Sequence, residues 1–157
     1  MLVELMRYKA WANDLSFAAL AKLPEAELTA PRPIVFGSIL RTVNHVYAMD
    51  LVWQANLEGR PHGYITRNPP VSPPLDELRT AQKNIDAWYV DYAASLKNED
   101  EPVQFTFIGG GPATLSRRDI LLHVVNHGTY HRGNVAAMMY QLGVPPPTTD
   151  LPVYLRA

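Results

Sequence analysis

The 157-residue sequence predicts an all-α fold, a four-helix bundle with one short β-hairpin before its last helix. Three observations carry that expectation. Apolar residues recur by threes and fours in four separate segments. Proline and glycine punctuate the chain between those segments. One stretch, residues 104–107, alternates instead and is followed by three glycines.

The first helix is expected over residues 2–23, where Leu5, Tyr8, Ala12, Leu15 and Ala19 step along one face. Pro24 ends it, and Pro31 and Pro33 hold the next stretch extended. The second spans 39–58, with Ser38 placed to cap it and Gly59 to close it. A long link follows, carrying Pro61, Pro69 and Pro70. The third helix opens at Ser72-Pro73-Pro74, a capping residue with proline in the first turn, and Leu78, Ile85, Trp88, Tyr92 and Leu96 mark its apolar stripe. Over 103–115 the helical period fails. Gln104-Phe105-Thr106-Phe107 alternates, and Gly109-Gly110-Gly111-Pro112 turns the chain back. Ser116, with Asp119 three residues on, starts the fourth helix as a capping box with Asp in place of Glu. That helix ends near Leu142, at Gly143 and three prolines. Four such helices bury their stripes most simply as a bundle, and the long links after the second and third leave room for a crossover connection.

Composition bounds the function. Apolar residues make up 47% of the chain and charged residues 18%, enough to build one core, so residues 1–157 read as a single domain. A formal net charge of −1 lacks the basic footprint of a nucleic-acid partner. Cysteine is absent, which removes disulfides, thiolate ligands and a cysteine nucleophile, and suits a reducing, cytoplasmic location. The first 14 residues mix charge into their apolar residues from Glu4 onward, unlike a signal peptide. No run of about 18 apolar residues is free of charge, so no membrane span is expected. The three glycines at 109–111 have no lysine after them and do not make a phosphate loop.

The five histidines carry the chemistry. His123, His127 and His131 lie on the fourth helix. On a wheel of about 100° per residue, His127 and His131 fall at the centre of the stripe drawn by Ile120, Val124, Val135, Met138 and Leu142, and His123 falls at its edge. Two imidazoles one turn apart can share one metal ion. His123 and His131 are roughly 12 Å apart along the axis, so one ion cannot take all three. A third ligand has to come from elsewhere. His62 sits in the proline-rich link, whereas His45 sits on the second helix beside Thr42, Met49 and Val52, which favours His45 and leaves a carboxylate such as Asp50 open. A lone helical histidine is more often satisfied by a single hydrogen bond, the reading given to His62 and His123. Asp50 is the candidate for holding an imidazole N–H, or else an ordinary paired carboxylate. Trp88, Tyr89 and Tyr92 read as core and its margin. Tyr130 and Arg132 project to either side of the stripe, and Arg41, Tyr47 and Trp53 could approach from the second helix.

These residues resemble a known family. Phe36-Gly37-Ser38-Ile39, Thr42, Asn44-His45, Asp50 and Trp53 on the second helix are similar to the DinB family. So are His123 and the run Asn126-His127-Gly128-Thr129-Tyr130-His131-Arg132-Gly133 on the fourth, Tyr8 and Trp11-Ala12-Asn13 on the first, and Gly143, Pro147 and Asp150 at the end. The resemblance implies an up-down-down-up bundle, often a homodimer, with one divalent metal ion held by His45, His127 and His131. Asn134 departs from the family pattern, which carries Gln after His-Arg-Gly. Three neutral imidazoles leave such an ion open to water or substrate, and nitrogen ligation suits zinc, nickel, copper or iron. The resemblance further implies a metal-dependent transfer of a low-molecular-weight thiol, or of water, to a small-molecule electrophile. The alternative is a non-catalytic role as a metal-stabilised structural or ligand-binding dimer, with apolar residues outside the stripes, such as Leu51, on its dimer face.

Overall fold

The computed structural model describes residues 1–156. In chain order it contains α1 (Leu2–Leu20), α2 (Glu25–Thr29), α3 (Ile39–Leu57), α4 (Leu75–Ser95), β1 (Pro102–Thr106), β2 (Pro112–Ser116), α5 (Arg117–Gln141) and α6 (Leu151–Tyr154). The four long helices and the hairpin before the last of them are the expected elements; α2 and α6, of 5 and 4 residues, are too short for periodicity to reveal.

Each of α1 and α3 packs on both α4 and α5, which leaves α1 and α3 diagonal to one another. Side-chain pairs give the directions. Lys9 meets Asp86 and Asp14 meets Arg79, so α1 and α4 run opposite ways. His45 faces His127 while Trp53 faces His123, so α3 and α5 also run opposite ways. Leu2 and Met6 share a cluster with Ile120 and Val124, whereas Phe17 and Leu20 share one with Val135 and Met138, so α1 and α5 run together. The order is up-down-down-up.

Those two apolar clusters are the two ends of the core, and between them lies a polar layer. Lys9, Asn13, Asp50, Gln82, Asp86, His45 and His131 are all buried there. The layer explains why the apolar stripes differ from those expected. On α1 the buried residues are Leu2, Met6, Tyr8, Lys9, Ala12, Asn13, Phe17 and Leu20, while Leu5, Leu15 and Ala19 are half-buried. A stripe drawn through apolar residues alone is rotated when polar side chains take inward positions. On α4, Tyr89 is fully buried and Trp88 and Tyr92 stand at the margin, stacked on each other at 4.8 Å.

The helix ends follow local chemistry. Ser38 Oγ accepts from Arg41 N at 3.2 Å, and Ser116 Oγ accepts from Asp119 N at 3.0 Å, the caps expected of both. Ser72, by contrast, caps nothing: α4 begins at Leu75, after Pro74, with no side-chain cap. Helix α1 stops at Leu20, three residues short of the expected end, because the chain tightens into i→i+3 turns before Pro24. Gly59 and Gly143, at φ +68° and +70°, take the left-handed turn just beyond α3 and α5.

The hairpin pairs Val103 with Leu115 and Phe105 with Ala113. Val103 and Phe105 are buried, and the Phe105 ring meets that of Trp53 edge-on at 4.9 Å. One face of β1 is thereby seated on α3, which aims the turn at the histidines.

Candidate metal centre

His45, midway along α3, and His127 and His131, one turn apart on α5, bring ring nitrogens within 4.8 Å of one another. His45 Nε2 is 3.0 Å from His127 Nε2. On its other side His45 Nδ1 lies 2.6 Å from the main-chain oxygen of Arg67. A carbonyl only accepts, so Nδ1 carries the proton and Nε2 keeps its lone pair toward His127. Phe36 stacks on the His45 ring at 4.0 Å and shields it. Asn134 Nδ2 is 3.1 Å from His131 Nδ1; an amide N–H only donates, so Nδ1 accepts here, and ligation through Nε2 would turn the amide over so that Oδ1 accepts from Nδ1–H.

All three imidazoles are held neutral. Burial, and after it the charge of His131 and His45, lowers His127 to about 2. Burial and then the charge of His45 lower His131 to about 4. His45 is lowered as well, by burial, against the pull of the Arg67 carbonyl and with the help of the Arg67 charge. A metal ion binds imidazole through an unprotonated nitrogen, so this donor set could hold one without displacing a proton near neutral pH.

The remaining histidines are elsewhere. His123 stacks on His127 at 5.6 Å and meets Trp53 edge-on at 4.9 Å, but is outside the group of three. His62 stays in the link, where its Nδ1 accepts from Tyr64 N. Asp50 holds no imidazole. Its Oδ2 accepts from Lys9 Nζ at 2.7 Å and from Gln82 Nε2 at 2.8 Å. Lys9 also donates to Asp86 Oδ1 at 2.5 Å, and Asn13 donates to Asp86 Oδ2 at 2.9 Å. Burial opposes the charge on Lys9, yet Asp50 and Asp86 outweigh it and raise the ammonium pKa. Burial raises the Asp50 carboxyl against the opposing pull of Lys9.

This second cluster, built from Lys9, Asn13, Gln82 and Asp86, escaped sequence reasoning apart from Asp50. Its signal was present: Lys9 and Asn13 fall on the face that carries Met6 and Phe17, and a charge inside an apolar stripe asks for a buried partner. Arg132 faces the same side of α5, reaching Asn13 Oδ1 at 3.2 Å and Tyr8 Oη at 3.4 Å. Gly128 admits this arrangement, since a Cβ there would meet the Arg132 guanidinium at 3.3 Å and Lys9 Cε at 3.8 Å.

Above the histidines opens a cleft of about 760 Å³. Met49 and Trp53 of α3 form one side and Tyr130 of α5 another, while Phe105 and Phe107 close it from the hairpin. The hairpin is thus a wall of the site. Of the three residues that could have approached from α3, Trp53 lines the cleft; Arg41 and Tyr47 do not.

A family model, that of the DinB family, matches residues 1–157. The chain belongs to the DinB family. It is 29% identical over 158 residues to protein DinB of Bacillus subtilis (strain 168), a match that covers 97% of this chain and 92% of that protein. The fold is also that of a crystal structure of a DinB-like protein from Bacillus cereus ATCC 10987, with a TM-score of 0.69 at 16% identity over 90% of this chain and 91% of the other. Among the described residues, no helix of this DinB-family chain is long and apolar enough to cross a membrane.

Proposed function

We propose that this DinB-family protein is a metal-dependent enzyme that transfers a low-molecular-weight thiol, or water, to a small electrophile. The observation that carries the proposal is the convergence of three neutral imidazoles at the floor of a cleft large enough for a substrate. His45, His127 and His131 would hold one divalent ion, and zinc, nickel, copper and iron all suit nitrogen donors. Such an ion supplies Lewis acidity, polarising an oxygen or stabilising a thiolate or hydroxide.

The chain's own residues do the rest. The Arg67 carbonyl fixes the tautomer of His45, and the Asn134 amide turns His131. Phe36, stacked on His45 and tilted against His131 at 5.4 Å, keeps water off one flank of the imidazoles. The aromatic walls remove the apolar part of a substrate from water, which strengthens polar contacts at the floor. With no cysteine in the chain, a thiol nucleophile has to be supplied from outside.

The test is metal content. Protein purified without chelator is expected to carry close to one ion per chain by mass spectrometry, and His45→Ala and His131→Ala to lose it. Wild-type protein that is metal-free and cannot be reloaded would overturn the proposal. Metal-loaded protein that leaves bacillithiol, glutathione and model electrophiles unreacted, and hydrolyses neither esters nor amides, would reduce it to a binding role.

A further inference from the structure

The cleft is uneven in chemistry. One wall is aromatic, where Trp53 meets Phe105 at 4.9 Å and Phe107 at 6.5 Å, both edge-on. Its rim is apolar yet open to water: Val35 is 70% exposed, Phe107 50% and Tyr130 66%. Large apolar side chains gathered round one mouth mark a surface that a bound molecule covers.

Against this apolar lining stands one charge. Arg67 is the sole Arg, Lys, Asp or Glu among the described residues that line the cleft. It enters none of the ion pairs among the described residues. Arg67 is exposed and lines the cleft, and its main-chain oxygen lies 2.6 Å from His45 Nδ1, so its flexible stem starts beside the floor. A guanidinium presents two parallel donors that match one carboxylate. In the metal-free protein a phosphate dianion at this place would keep a charge uncompensated between apolar walls.

We infer that the cleft takes an organic acid, with its aromatic or other apolar body against Trp53, Phe105 and Phe107 and its single carboxylate on Arg67. In the reaction, this makes the electrophile an apolar carboxylic acid, and that part rests on the function proposed above. The binding relationship itself needs no metal.

Chelator-treated protein titrated by calorimetry with 2-naphthoate and with the neutral 2-naphthylmethanol tests the inference. The acid is expected to bind about tenfold more tightly than the alcohol, as one charge-assisted contact predicts. Arg67→Met keeps the main-chain carbonyl that holds His45 and should abolish the preference, while Arg67→Lys should keep part of it. Equal binding of acid and alcohol by wild type, or a preference that survives Arg67→Met, overturns the inference. Binding of the acid only after metal is restored also overturns it, because the carboxylate then sits on the ion. Metal content measured on the same samples separates the two readings: a metal-free wild type with an Arg67-dependent preference would sink the metal centre and leave the acid site standing.

Discussion

Lys9 on α1 ends 2.7 Å from Asp50 on α3, across the diagonal of the bundle, and each side chain is 1% exposed. With Asp86 at 2.5 Å on the other side, one ammonium ties three helices together in the plane of the histidines. Removing one member of a buried ionic group leaves the others desolvated and uncompensated. Lys9→Met is therefore expected to cost about 3–5 kcal/mol in urea unfolding. Adding Asp50→Asn and Asp86→Asn to Lys9→Met should return part of that loss, since no buried net charge then remains. A neutral Lys9→Met would mean that the pair contributes nothing to stability.

The metal-free protein should lose stability as pH falls. His127 and His131 bind protons in the folded state only near pH 2 and pH 4, against an ordinary 6.5 when unfolded. Between those limits the unfolded chain holds more protons, so stability rises with pH. Each such histidine adds a slope of about 1.4 kcal/mol per pH unit over its window. Urea midpoints should drop between pH 6.5 and pH 4, and less steeply in His127→Ala. A flat profile over that range would contradict the buried neutral imidazoles.

Ser38→Ala is expected to destabilise the fold by about 1 kcal/mol, because Arg41 N then loses its acceptor at the start of α3. Ser38→Asp should restore the cap, the comparison to be read from denaturant midpoints.

Phe105→Ala should loosen the hairpin without touching the floor of the site. Truncating this buried ring against Trp53 is expected to cost about 3 kcal/mol. Hydrogen exchange over β1 and β2 should rise while metal per chain stays unchanged. Metal lost along with the wall would show that the histidines depend on the hairpin for their geometry.

Asn134→Ala should weaken metal binding by about tenfold, because His131 loses the group that orients its ring. Competition with a chromogenic chelator measures it, and an unchanged affinity would remove Asn134 from the site.

Much of this was legible in the chain. Helix α5 announced itself by its period, its Ser116 cap and Gly143, and the same wheel put His127 and His131 on the inward face. The hairpin was legible from alternation, though not its purpose, since nothing local says that Phe107 will stand edge-on to Trp53 of α3. His45 came by elimination and then by resemblance, and the fold set its Nε2 beside His127. Asp50 stood open between an imidazole partner and an ordinary paired carboxylate, and the fold took the second, pairing it with Lys9, which no periodic pattern had singled out.

What the sequence by itself determined is whatever repeats along a helix or sits within a few residues of its ends: four long helices, the Ser38 and Ser116 caps, and the histidine face of α5. The period of a helix records which side is buried, because that is a property of neighbouring residues. Which charges meet on the buried side is a different question. Lys9 and Asp50 are separated by 41 residues and Lys9 and Asp86 by 77, and their attraction exists only once the up-down-down-up order sets α1 against α4 and across from α3. That pairing, the cleft wall and the solitary charge of Arg67 were decided by tertiary structure, since electrostatic compensation and enclosure depend on distance in space.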